Sequence, residues 1–161
     1  MTRRKPGVHG AFASWRCVLL IAAADFMLEL IEEELEPVGL TWRTFRILTL
    51  VGKLGSVPQS VVAERIGLDR TTMSKAAHEL QRLQLVLLLP PAPGRRSELV
   101  LTHHGEQVLA HGEYAVSQAE KRLLGRLGVT HGRRFEEYLR RLAPRWNPWR
   151  DTHARRPSRP A

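Results

Sequence analysis

Apolar residues recur at helical spacing along the first third of the chain. Cys17 to Leu20, then Phe26, Met27, Leu30, Ile31 and Leu35 predict a first helix over about residues 13–36, stopped by Pro37 with Gly39 following. A second helix is predicted over about 41–54: Thr41 is its N-cap, Phe45, Leu48, Leu50 and Val51 supply apolar content, and Gly55 follows its end. Two further helices, Val61 to Ile66 and Arg70 to Leu83, are separated by Gly67-Leu68-Asp69. Short helices joined by a tight glycine turn are the layout of a helix-turn-helix. Ser56 is placed to cap the first, with Pro58 in its first turn, and Asp69 to cap the second.

The second helix of this pair has two faces. Met73, Ala76, Ala77, Leu80 and Leu83 fall on one side, and positions 71, 75, 78 and 82 put Thr71, Lys75, His78 and Arg82 on the other. Leu85 to Leu89 and Glu98 to Thr102 then read as strands flanking Pro90-Pro91-Ala92-Pro93-Gly94-Arg95-Arg96, a stiff basic hairpin tip. Helical pattern returns over about 105–127, carried by Val108, Leu109, Val116, Leu123 and Leu124, and again over about 133–142, with Gly128 and Gly132 bracketing the break. The predicted fold class is mainly α with a small two- or three-stranded β wing, a winged helix-turn-helix between terminal helices.

A length of 161 residues, 43% hydrophobic, suffices for one compact domain with tails. We place that domain at 13–143, with a winged module at about 41–102 and dimerisation helices at 13–36 and 105–143. Segments 1–12 and 144–161 combine Pro, Gly and Arg with little to bury and are expected to be disordered basic arms. The net charge of +9 and pI near 10.9 favour a polyanionic partner. Residues 1–16 and 144–161 each carry +4, residues 17–40 hold six acids and no base, and residues 41–97 hold nine bases against Glu64, Asp69 and Glu79. Apart from the arms, the basic footprint is the helix-turn-helix and hairpin.

Cys17 is the single cysteine, which excludes an intrachain disulfide and multi-cysteine zinc motifs and fits a reducing interior, so the expected location is the cytoplasm. Arg3, Arg4 and Lys5 before Cys17 to Ala24 imitate a secretory signal, but helical periodicity continues to Leu35 and favours a domain helix. No run approaches the ~18 apolar residues of a membrane span, so no membrane partner is expected.

A helix laid in the major groove needs short polar side chains near its N-terminus that reach base edges. Thr71, Thr72, Ser74 and Lys75, extended by His78, are such a set. Gln59, Ser60 and Arg70 suit phosphates, and Arg95 and Arg96 on a hairpin tip suit the minor groove.

These residues carry a resemblance. Gly39-Leu40-Thr41 with Phe45 and Leu48, then Val62 to Ser74, Leu80 to Val86, Gly94-Arg95-Arg96, and Leu99 to Thr102 with Gly105, resemble the MarR (multiple antibiotic resistance regulator) family pattern over roughly residues 14–143. The resemblance implies a homodimer with interlocking terminal helices that binds a pseudo-palindromic operator in double-stranded DNA, and regulation by a small, often phenolic, effector or by oxidation. Departures are Gln84, where the family usually has Gly, Gly94, where it has Asp, and an all-apolar first wing strand at Leu85 to Leu89.

Cys17 lies the same distance ahead of Leu40-Thr41 as the reactive cysteine of the family's organic-hydroperoxide-sensing branch, so a redox role stands beside that of an inert core thiol. His103, His104 and His111 lack the i, i+4 spacing of helical metal pairs and read as solvated or capping residues; no metal site and no cofactor are expected. Glu32 to Glu34 read as a solvated helix face. No nucleophile elbow, phosphate-binding Gly loop or paired-carboxylate motif is present, so no catalytic residue is assigned and an enzyme is not expected. The leading function is a sequence-specific transcriptional repressor; the alternative is a non-specific nucleic-acid or anionic-surface binder driven by its basic arms.

Overall fold

The computed structural model describes residues 15–90 and 97–142. The expected arms lie outside them. Helix α1 runs Arg16–Leu35 and passes into a 3-10 turn, Glu36–Val38, so Pro37 sits in the turn that ends the helix. Helix α2, Trp42–Leu54, opens on Thr41, whose hydroxyl accepts from Thr44 N (3.2 Å) while the Thr44 hydroxyl accepts from Thr41 N (2.9 Å), so two orphan donors are satisfied reciprocally. Its first turn holds no acid of its own, and Glu32 of α1 supplies one: Trp42 N donates to Glu32 Oε1 at 3.0 Å.

Strand β1 (Val57–Pro58) precedes helix α3 (Gln59–Ile66), helix α4 (Arg70–Arg82), and strands β2 (Val86–Leu89) and β3 (Glu98–Leu101). The sheet is antiparallel in the order β1-β3-β2, with Val57 opposite Leu99 and Val86 opposite Leu101. Pro58 is tolerated because β1 is an edge strand. This corrects the reading of Ser56 as a helix cap: the N-cap position of α3 is Pro58, and the Ser56 hydroxyl donates to the Glu98 carboxylate instead.

Helix α5, His103–Leu124, starts two residues before the predicted boundary, capped by the Thr102 hydroxyl, which accepts from Gly105 N at 2.8 Å. A 3-10 turn, Gly125–Leu127, leads into helix α6, Gly128–Leu142. Only Gly128 marks the break, with a φ of +68°; Gly132 lies within α6. The core gathers Leu35 from α1, Ile47 and Leu48 from α2, Val62 from α3, Met73, Ala77 and Leu80 from α4, and Val86 and Leu99 from the sheet. On α5 the buried positions are the small ones, Gly105, Gly112, Ala115 and Ala119, which let α1, α2 and the wing approach its backbone. A Cβ at Gly105 would stand 1.9 Å from Leu85 O, so only glycine fits there.

Glu32 to Glu34 are more than a solvated face. Besides Glu32 holding α2, Arg122 of α5 donates to Glu34 (2.8 Å) and Glu33 (3.1 Å), and these two carboxylates, Glu34 first, raise the pKa of Arg122 above its ordinary value. No helix among the described residues is long and apolar enough to cross a membrane.

Candidate nucleic-acid interface

The turn between α3 and α4 is built from Gly67, whose φ of +76° an L side chain rarely adopts, and from Asp69, the N-cap of α4. Asp69 Oδ1 accepts from Thr72 N at 2.8 Å and Oδ2 accepts from the Thr72 hydroxyl at 2.6 Å. Those bonds to the charged form, the hydroxyl first, hold the Asp69 carboxyl below its usual range. From the far side, Arg46 of α2 donates to Ile66 O, the end of α3, at 3.3 Å, and its guanidinium lies 5.9 Å from the Trp42 ring centre.

Helix α4 is thus fixed at its start and along its back. Met73, Ala76, Ala77 and Leu80 are buried, and Thr71, Lys75, His78 and Arg82 form an exposed stripe opposite them. Leu83, expected on the buried side, follows the helix and is exposed, because the chain has already left the helical path. Arg70 is exposed and Ser74 half-buried. Thr72, expected at base edges, has its hydroxyl held in the Asp69 cap. Gln59, expected at a phosphate, donates its side-chain amide to Ser97 Oγ at 3.3 Å. Ser60 is exposed on the first turn of α3. Arg95 and Arg96 lie outside the described residues.

Two features escaped the sequence pattern. Gln84 has a φ of +58°, and among the described residues it is the only non-glycine in the left-handed region. It lies where α4 turns into β2. The Thr102 hydroxyl, besides capping α5, donates to Gln84 O at 2.6 Å, and Thr102 N donates to Leu85 O at 3.1 Å. The end of the exposed-stripe helix is therefore locked to the start of α5. The one available signal was glycine's absence at position 84 in an otherwise family-like stretch.

Residues 38–97, from the 3-10 turn to the last residue before β3, match the family model described as the MarR family. Over this segment the chain is similar to the MarR family. The match ends short of α5 and α6, and likeness to solved structures extends over them. A MarR family protein of Mycobacterium tuberculosis, solved in complex with DNA, is 22% identical, with 80% of this chain and 98% of that one covered and a TM-score of 0.71. CouR of Rhodococcus jostii RHA1, solved bound to p-coumaroyl-CoA, is 22% identical, with 84% and 97% covered and a TM-score of 0.69. The oxidised form of MarR from E. coli is 19% identical, with 81% and 95% covered and a TM-score of 0.72. At such identities the likeness establishes the fold. No curated protein sequence matches the chain.

Away from the module, α1, the second half of α5 and α6 enclose an open groove of about 920 Å³ lined by Leu20, Met27, Leu123, Leu124, Phe135 and Leu139, among others. Leu19, Leu20 and Ile21 of α1 and Tyr138, Leu139 and Leu142 of α6 remain exposed. Cys17 is free and exposed in the single chain. His103, His104 and His111 are exposed, and His103 Nε2 lies 3.2 Å from Gln107 Nε2. Among the described residues no group of three or more His, Cys, Asp or Glu is arranged to hold a metal ion.

Proposed function

We propose that this chain is a homodimeric, sequence-specific double-stranded DNA-binding transcriptional regulator, a repressor released by a small phenolic effector, whose role is binding rather than catalysis. The observation that carries it is the stripe of Thr71, Lys75, His78 and Arg82 on a helix whose opposite side is core and whose start is pinned by Asp69. Such a helix enters the major groove as a rigid body, Thr71 and Lys75 nearest the bases and His78 and Arg82 nearer phosphate. Ser60 and Arg70 flank it on the phosphate side, with Arg95 and Arg96 on the wing. The DNA complex of the mycobacterial neighbour supports this reading, and the bound p-coumaroyl-CoA of CouR supports a phenolic effector. The apolar groove beside α6 supports a second copy as the partner that covers it.

The test separates this reading from charge-driven binding. Lys75→Ala is expected to keep the fold and to cost about 1 to 3 kcal/mol on a duplex selected by the parent protein, with much less change on scrambled DNA. Equal loss on both duplexes, tracking salt alone, would mean a non-specific binder. The exposure of Cys17 favours a second release route, by oxidation. Peroxide should then weaken operator binding by the parent and leave a Cys17→Ser variant unaffected; equal sensitivity of the two removes that route.

A further inference from the structure

The wing joins the helix-turn-helix through one small polar cluster. Ser97, immediately before β3, accepts twice from Gln59: its carbonyl oxygen from the backbone N–H and its hydroxyl oxygen from the side-chain amide, both at 3.3 Å. The Ser97 hydroxyl then donates to the carbonyl of Leu89, the last residue of β2, at 3.1 Å. Ser56 adds its bond to the Glu98 carboxylate, beside the pairing of Pro58 with Glu98. Gln59 is the first residue of α3 and is half-buried, as is Ser97. Both strand ends at the mouth of the hairpin are therefore tied to each other and to the first turn of the helix-turn-helix.

That arrangement decides between two uses of Gln59. A side chain that bonds phosphate must present its amide to solvent, whereas this amide is directed at the wing. A hairpin held only by its own ladder swings as a unit, since its two-residue junction with β1 is short. Bonds across its mouth to a packed helix set the direction in which it leaves. Binding that uses a helix in one groove and a wing in the next gains from having both pre-set, because the ordering cost is met on folding and not on association.

We propose that Gln59 and Ser97 are positioning residues: the Gln59–Ser97–Leu89 clasp aims the wing relative to α4, and neither side chain contacts DNA. This rests on the DNA-binding reading above. The experiment uses the full chain, a duplex selected by the parent from a random-sequence library, and a scrambled duplex of the same length. Gln59→Ala and Ser97→Ala should each weaken binding by about five- to tenfold, the value of one or two net hydrogen bonds. The double variant should bind no more weakly than either single, and Ser97→Thr, which keeps the hydroxyl, should bind as the parent does. The singles should also show a shallower salt dependence, because wing contacts to phosphate are lost. Parental affinity for Ser97→Ala, with loss confined to Gln59→Ala, would overturn the clasp in favour of a direct phosphate contact by Gln59. Lowered melting temperatures with unchanged affinity of the folded protein would overturn it in favour of a merely structural role. If the parent selects no duplex, or Lys75→Ala binds as the parent does, the DNA-binding reading fails and the proposal with it; if those controls hold and all clasp variants bind normally, the proposal alone fails.

Discussion

Around α4 the apolar side chains are covered within one chain: Leu80 and Leu99 are 0% exposed, and Met73 is 1% exposed. Along the groove of α1, α5 and α6 the same residue type stays in water, with Leu20 at 46% and Leu139 at 39%. The module closes its core by bringing four helices and a sheet around a few large side chains, while α6 touches the rest of the chain mainly through the turn that precedes it. The contrast separates two tasks. The part that presents Lys75 holds its shape unaided, and the part that leaves leucines exposed offers the surface for the second copy proposed above.

Paired substitutions should break this comparison most sharply. Leu80→Ala opens a cavity in the module and is expected to cost about 2 to 5 kcal/mol of stability, read by thermal or urea unfolding, with DNA binding falling only as folded protein is lost. Leu139→Glu places a charge in the groove at a position already part-exposed. It should leave helical content unchanged and raise the dimer dissociation constant by at least about tenfold, read by sedimentation at graded concentration. A monomeric parent, or a Leu139→Glu protein that stays dimeric, would show that the groove is not covered by a second copy.

Legibility in the sequence follows the same division. Helix α4 and both wing strands lie within one or two residues of their predicted bounds, because capping at Asp69, the Gly67 turn and a two-faced pattern are all local signals. Strand β1 was not legible: two residues carry no alternation, and its partner Leu99 is far along the chain. The roles of Glu33 and Glu34 were hidden because Arg122 reaches them from another helix. Thr72 and Gln59 look like contact residues in sequence, since nothing local reveals that one hydroxyl serves a cap and one amide serves the wing.

Gln84 offers a smaller effect of opposite sign. A non-glycine residue at a φ of +58° carries a steric cost that glycine avoids, offset in part by glycine's larger entropy loss on folding. Gln84→Gly is expected to stabilise the module by about 1 kcal/mol, measured as a shifted urea midpoint at constant slope. A destabilised Gln84→Gly protein would mean that the Gln84 side chain contributes contacts worth more than the backbone strain.

The smallest effect concerns the cap of α4 and its dependence on pH. Asp69 has its carboxyl pKa lowered in the folded chain, first by the Thr72 hydroxyl and next by the Thr72 amide. A depressed folded value means that the unfolded chain takes up its proton first as acid is added. The contribution of the charged cap is therefore complete above the ordinary carboxylate range, near pH 4, and is lost as pH falls through the lower folded value. Asp69→Asn keeps an oxygen acceptor for Thr72 N but cannot titrate, so it caps equally at every pH. At neutral pH the parent should melt slightly higher, since its charge also suits the positive end of the helix dipole. Below about pH 4 that gap should narrow, and the parent's curve should converge on the Asp69→Asn curve while other carboxylates lower both together. A gap that is constant with pH would show that the cap works through its hydrogen-bond geometry alone and that the charge on Asp69 adds nothing to the start of α4.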